Sequence, residues 1–252
     1  MTDTAGESMI ARVARVLRAF DAEHDSLTLT DVASRTSLPM ASAHRIVHGL
    51  VAERLLDRRG ARYCIGTGLW ERGELAGISM HFREATLPYL LMLYEATREN
   101  VHLAIRDGYD ALYVARLVGP HSVPTISRMG GRLPLHTTGV GRALLAYQSA
   151  AFLDQFFARP LEKPTKYSLG TEPAVRAELE RTRQTGYSVT NQEMTLGNTS
   201  LAVPIFVGDG APYAAVGLVT HLARFDPRRS VPLLKDAANG IAKAIVGLGE
   251  FH

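Results

Sequence analysis

Residues 38–65 read LPMASAHRIVHGLVAERLLDRRGARYCI, and the fold of the N-terminal part of the chain turns on this stretch. Ala43, Ile46, Val47, Leu50 and Val51 recur at the spacing of one helical face, so residues 40–53 are expected to form a helix with a single buried stripe. At about 100° per residue, Ala41, Arg45, His48 and Ala52 take the opposite face, flanked by Ser42 and His44. Pro39 disfavours helical geometry in the residue before it, which separates this helix from whatever precedes it. Behind the helix, residues 55–58 and 62–65 are short strand candidates around Arg59-Gly60-Ala61, a basic hairpin.

Working outward, Ile10, Val13, Val16, Leu17 and Phe20 predict an amphipathic helix over residues 9–22. Residues 31–36 are expected to form a short helix with Thr30 as its N-cap. Helix, short helix, break, helix and basic hairpin, in that order, is a winged helix-turn-helix. Its third helix has the width to enter a DNA major groove, with the hairpin as a wing against phosphates or the minor groove. Between Thr28 and Ile65, six arginines (35, 45, 54, 58, 59 and 62) stand against Asp31, Glu53 and Asp57. That local excess suits a phosphate backbone, and equally a solvated helical face.

The 252 residues are 46% hydrophobic and 21% charged, enough for two ordinary soluble domains. No apolar run approaches the roughly 18–20 residues of a membrane span, and residues 1–8 are polar and acidic, unlike a signal peptide. The lone Cys64 excludes an internal disulfide framework and disfavours a cysteine metal site. A cytoplasmic, membrane-free protein is expected. Residues 66–79, punctuated by glycines around the single Trp70, read as a linker with a short helix. Beyond it, a helix is expected over 82–98 despite Pro88. Strands are expected over 101–106, 111–117, 122–128, 187–193, 201–207 and 213–220, and helices over 139–148, 150–158, 172–185 and 231–247. This is a mixed α+β pattern.

Three blocks carry a resemblance to the IclR (isocitrate lyase regulator) family of bacterial transcription regulators. The first is Leu38-Pro39-Met40-Ala41-Ser42-Ala43-His44-Arg45 with Leu50 and Tyr63-Cys64-Ile65-Gly66. The second is residues 131–146, GRLPLHTTGVGRALLA. The third is Gly186-Tyr187, Glu193, Gly197 and residues 201–206, LAVPIF. The resemblance implies an α+β chain in which a winged helix-turn-helix domain (1–66) is joined by a linker helix (67–80) to a GAF-like α/β effector-binding and oligomerisation domain (81–252). It also implies homodimers, often paired as tetramers, on palindromic double-stranded operators. Effectors would be small metabolites, commonly organic acids or aromatic catabolites. The family often has a basic residue where this chain has Met40, so one phosphate contact is expected to be missing and more weight to fall on Arg45 and the wing arginines.

The expected DNA contacts are Ser42, His44, Arg45, His48, Arg59 and Arg62. Arg45 leads, because a guanidinium pairs bidentately with guanine or grips a phosphate; its alternative is an ion pair with Asp31 or Glu53. His44 and His48 share a helical face as a metal pair would, but lack a third and fourth ligand nearby, so no metal or cofactor is expected. Gly139 and Val140 open a helix whose N–H groups could receive an anion, against the alternative of glycines serving a tight turn. By the resemblance, Thr190, Ser200, Gly217 and Val219 complete the effector wall. That wall lacks charge, and Gly217 leaves room for a ligand bulkier and less polar than a two- or three-carbon acid. Glu193 is placed near the pocket mouth or holding a loop. His102, His136 and His221 invite a catalytic reading, but Ser200 lacks a nucleophile elbow and no triad is evident. An enzyme fused to a DNA-binding domain, or a scaffold serving only oligomerisation, are the competing readings. For a regulator, ligand binding is expected to favour one dimer arrangement, with residues 70–79 passing the change to the DNA-reading helices.

Overall fold

A computed structural model describes residues 7–76, 80–119 and 122–247, with the side chains at 80 and 81 outside the description. The chain divides into two compact units at 79/80.

The first unit opens with α1 (Met9–Arg18), capped by the Ser8 hydroxyl and one turn shorter than its periodicity predicts. Next come β1 (Ser26–Thr28), α2 (Leu29–Thr36), α3 (Met40–Ala52), β2 (Leu56–Arg59), β3 (Arg62–Ile65) and α4 (Thr67–Gly73). The N-cap of α2 is Thr28 rather than Thr30. Asp31 stands three residues after Thr28, and the two close a reciprocal capping box: the Asp31 N–H donates to Thr28 Oγ1 at 3.1 Å, and the Thr28 N–H to the Asp31 carboxylate at 2.9 Å. Ser37, in left-handed geometry at φ 53°, stops α2, and Pro39 starts the next helix.

α3 packs Ala43, Ile46, Val47 and Leu50 onto Val16, Val32, Leu56 and Tyr63. The hairpin turns at Gly60, whose φ of 63° suits glycine, so that Arg59 pairs with Arg62. β1 adds a third strand, in the order β1-β3-β2. The expected linker helix over 67–80 is the seven-residue α4; residues 77–79 of that expectation lie outside the described residues.

The second unit is a six-stranded antiparallel sheet in the order β6-β5-β4-β9-β8-β7. Its strands are β4 (Asn100–Asp107), β5 (Asp110–Leu117), β6 (Arg132–Pro134), β7 (Ser188–Asn191), β8 (Asn198–Ile205) and β9 (Ala214–His221). Its helices are α5 (Met80–Thr97), α6 (Gly139–Leu145), α7 (Ala150–Phe157), α8 (Glu172–Thr185) and α9 (Pro227–Gly247). Ala104, Ala202 and Ala215 join Val140 and Leu144 of α6 in one core. Their neighbours Val101, Leu103, Leu201, Val203, Val216 and Leu218 are also buried, on the face that α5 and α9 cover.

The strand expected over 122–128 does not form. Buried asparagines capture its carbonyls instead: Asn100 Nδ2 donates to Val123 O and Asn198 Nδ2 to Pro124 O, each at 2.8 Å. The place beside β5 goes to β6. No helix among the described residues is long and apolar enough to cross a membrane.

Candidate functional site

In the first unit, the outer face of α3 carries exposed Ala41, His44, Arg45 and His48, with Ser42 half-buried beside them. The imidazoles of His44 and His48 stack with centroids 4.1 Å apart, and His48 meets Tyr63 edge-on. Among the described residues, no three His, Cys, Asp or Glu side chains converge as metal ligands.

The arginines sort themselves by partner. Arg35 pairs with Asp21 at 2.6 Å and Arg54 with Glu71 at 2.9 Å. Arg58 donates to Gly60 O, while Arg62 ties β3 to β1 through Ser26 O at 2.6 Å and Ser26 Oγ at 3.0 Å. Arg45 and Arg59 have neither a carboxylate nor a carbonyl partner among the described residues. Asp31, a proposed partner for Arg45, is instead committed to its cap, and hydrogen bonds from Thr28 hold its carboxyl below the ordinary value. Two cations therefore project from the helix-wing surface with their hydrogen-bonding capacity unspent.

The second unit holds a cavity of about 400 Å³ of empty volume, partly open to solvent. β8 and β9 supply Asn198, Thr199, Ser200 and Val219, and β7 supplies Thr190. The segment after β5 adds Thr125, Ile126 and Ser127, and the β7–β8 connection adds Glu193, Met194 and Thr195. His102, Tyr113, Leu133, Thr137 and Thr138 complete the wall. Of the residues read from the sequence as an effector wall, Thr190, Ser200 and Val219 line this cavity, whereas Gly139, Val140 and Gly217 are not among its lining residues.

Those three sit behind the wall because α6 lies directly on the sheet. A Cβ on Gly139 would collide with Ser200 Oγ, and one on Gly217 would stand 2.8 Å from Ala202 Cβ and 3.1 Å from Val140 Cγ1. Gly217 therefore gives α6 its approach rather than the ligand its room. The Gly141 N–H is already taken by Thr138 Oγ1 at 3.2 Å, and α6 is buried along its whole length. The glycines serve close packing.

The wall is also not free of ionisable groups. Arg142, 1% exposed, donates through Nη1 to Val189 O at 2.7 Å, and through Nη2 to His136 O at 2.7 Å and to Glu193 at 2.6 Å. Burial pushes the Glu193 carboxyl up against the pull of Arg142. The pair holds the β7–β8 connection, which Ser168 Oγ also grips at Glu193 O.

His102 is buried, and burial with the nearby Arg116 charge lowers its pKa to about 3, so its imidazole is neutral. Ser127 Oγ lies 3.0 Å from His102 Nε2, the spacing of a nucleophile and its base. In a catalytic triad a third group, usually a carboxylate, orients and strengthens the base, whereas this imidazole faces an arginine that lowers its basicity. His136 is likewise lowered by burial and engages Glu162 O at 2.8 Å, while His221 caps a short 3-10 turn. Burial and Arg116, rather than a carboxylate, set the electrostatics of His102.

Known proteins match this chain in both units. Residues 9–60 match the IclR helix-turn-helix domain, and residues 76–245 match the bacterial transcriptional regulator IclR C-terminal family. The transcriptional regulator XynR of Escherichia coli is 27% identical over 86% of this chain and 87% of its own length. The Pca regulon regulatory protein of Pseudomonas putida is 28% identical over 94% of this chain and 84% of its own. An IclR homologue from Microbacterium hydrocarbonoxydans, solved in complex with 4-hydroxybenzoate, superposes with a TM-score of 0.90 at 28% identity, covering 95% of this chain and all of that one. This chain belongs to the IclR family of bacterial transcription regulators.

Proposed function

We propose that the chain is a ligand-responsive regulator whose second unit takes a one-ring metabolite into the hydroxyl-lined cavity and thereby alters operator affinity. One observation carries this reading: a partly open cavity lined by hydroxyl-bearing Thr125, Ser127, Thr190 and Ser200 and by apolar Ile126 and Val219, beside a buried neutral His102. A partly open cleft that combines apolar surface with a few convergent polar groups is the usual form of a site for a small molecule such as a one-ring metabolite. The related Microbacterium protein, with its bound 4-hydroxybenzoate, supports a ligand of this size. Thr190, Ser200 and Val219 are the expected positions that would touch it.

On the DNA side, Arg45 would read a base edge or a phosphate, with Ser42, His44 and His48 beside it. Arg59 and the free nitrogen of Arg62 would meet the backbone from the wing. A homodimer presenting two such faces would suit half-sites about 34–36 Å apart.

The test is fluorescence anisotropy on labelled DNA from upstream of the chain's own gene, titrated with one-ring acids beginning with 4-hydroxybenzoate. A ligand that changes DNA affinity in the wild type, and whose effect disappears in Val219→Phe, supports the reading. A panel without effect on DNA affinity at millimolar concentration contradicts it.

A further inference from the structure

One corner of the cavity is wired to a cation. Arg116 and His102 are cross-strand partners on β5 and β4, and His102 in turn pairs with Gly217 of β9. Their side chains therefore lie on the same sheet face as Val219 and Ser200. Arg116 Nη2 donates to Thr125 Oγ1 at 3.0 Å, Thr125 Oγ1 lies 3.0 Å from Ser127 Oγ, and Ser127 Oγ lies 3.0 Å from His102 Nε2.

An arginine only donates, so Thr125 Oγ1 always accepts at this end. The neutral His102 has one N–H, and either ring nitrogen can carry it. When Nε2 carries it, His102 donates to Ser127 and Ser127 donates to Thr125. The Thr125 hydroxyl then accepts twice and turns its own proton outward, into the cavity. The other arginine beside the cavity is not available for this, since both Nη atoms of Arg142 are engaged and Glu193 neutralises it. Arg116 has no carboxylate partner among the described residues, and its Nε is buried without a hydrogen bond. Glu193 enters from the β7 side, with three strands between β7 and β5.

We propose that Arg116, acting through Thr125 and Ser127, makes the effector site select an anion: a carboxylate docks at Thr125, and the uncharged end of the ligand points toward Glu193. This rests on the cavity being the effector site. A carboxylate oxygen accepts the outward Thr125 proton and aligns the whole hydrogen-bond chain toward itself, with the Arg116 charge behind it. A neutral amide of the same shape gains less, because its oxygen carries less charge.

Calorimetry on the full chain with 4-hydroxybenzoate and 4-hydroxybenzamide tests this. The wild type should bind the acid about tenfold more tightly than the amide. Arg116→Gln should bring that ratio close to one, Thr125→Val should reduce it, and Arg116→Lys should retain most of it. An Arg116→Gln ratio equal to that of the wild type overturns the proposal, as does a wild type that binds the amide and not the acid; in that second case the cavity still stands as the effector site. Binding of neither probe also overturns it, and the DNA-release titration with the wider panel then decides separately whether the cavity takes an effector at all.

Discussion

Lowering the pH from 7.5 to 5.0 should weaken the second unit through His102. In the unfolded chain a histidine titrates near 6.5, whereas in the folded unit burial and Arg116 hold His102 at about 3. Between those values the unfolded state binds a proton that the folded state refuses, so stability is lost as pH falls below about 6.5. At pH 5 the folded imidazole is still neutral. The loss attributable to this group is then about 1.5 pH units at about 1.36 kcal/mol each, roughly 2 kcal/mol. Carboxyls with lowered values, such as Asp31 and Glu180, titrate below this window, while His136, lowered by burial, adds a loss of the same sign and Glu193, raised by burial, a gain, both shared by the wild type and the variant. His102→Gln keeps a polar atom near Ser127 and cannot titrate, so it isolates the term. Urea unfolding can be followed by near-UV circular dichroism of tyrosine, since eight of the nine tyrosines lie beyond residue 80 and the single Trp70 reports on the first unit. The wild type should lose about 2 kcal/mol more than His102→Gln between the two pH values. Equal losses in the two proteins would refute a buried neutral imidazole at this position.

Two further outcomes follow from the packing. Thr28→Ala removes the cap of α2 and should cost the first unit about 1 kcal/mol, read from Trp70 fluorescence in urea, while Thr30→Ala should change little. Arg142→Met leaves Glu193 buried without its partner and should cost the second unit roughly 3–5 kcal/mol. Adding Glu193→Gln should recover part of that loss, and no recovery would mean that the contacts of Arg142 with Val189 and His136, rather than the ion pair, carry the effect.

What the sequence revealed was local. The α3 stripe, the exposed Arg45 and the Gly60 hairpin follow from spacing, because helix period and turn chemistry are written in adjacent residues. β1 was not legible: three residues become a strand only because Arg62 and its neighbours pair with them from 36 residues away. The β-branched run at 122–128 looked like a strand, and only the two distant asparagines that seize its carbonyls make it a cavity wall. The same distance hid Thr125 and Ser127 as cavity-lining residues, and it hid Arg116, whose place beside His102 depends on strand register. Gly139 and Gly217 were visible as special positions, but whether a missing Cβ admits a ligand or a helix is decided by what lies opposite it.

The most direct test of the account is DNA binding by the wild type and Arg45→Ala, measured by anisotropy across a salt series on DNA upstream of the chain's own gene and on unrelated fragments. Tight binding to one fragment, with affinity falling steeply as salt rises, is the expected wild-type result. Arg45→Ala should lose about 1–3 kcal/mol on that fragment if the guanidinium reads a base, or flatten the salt slope by about one if it grips a phosphate. Weak, equal binding to every fragment, unchanged by the substitution, would contradict α3 as the DNA-reading element.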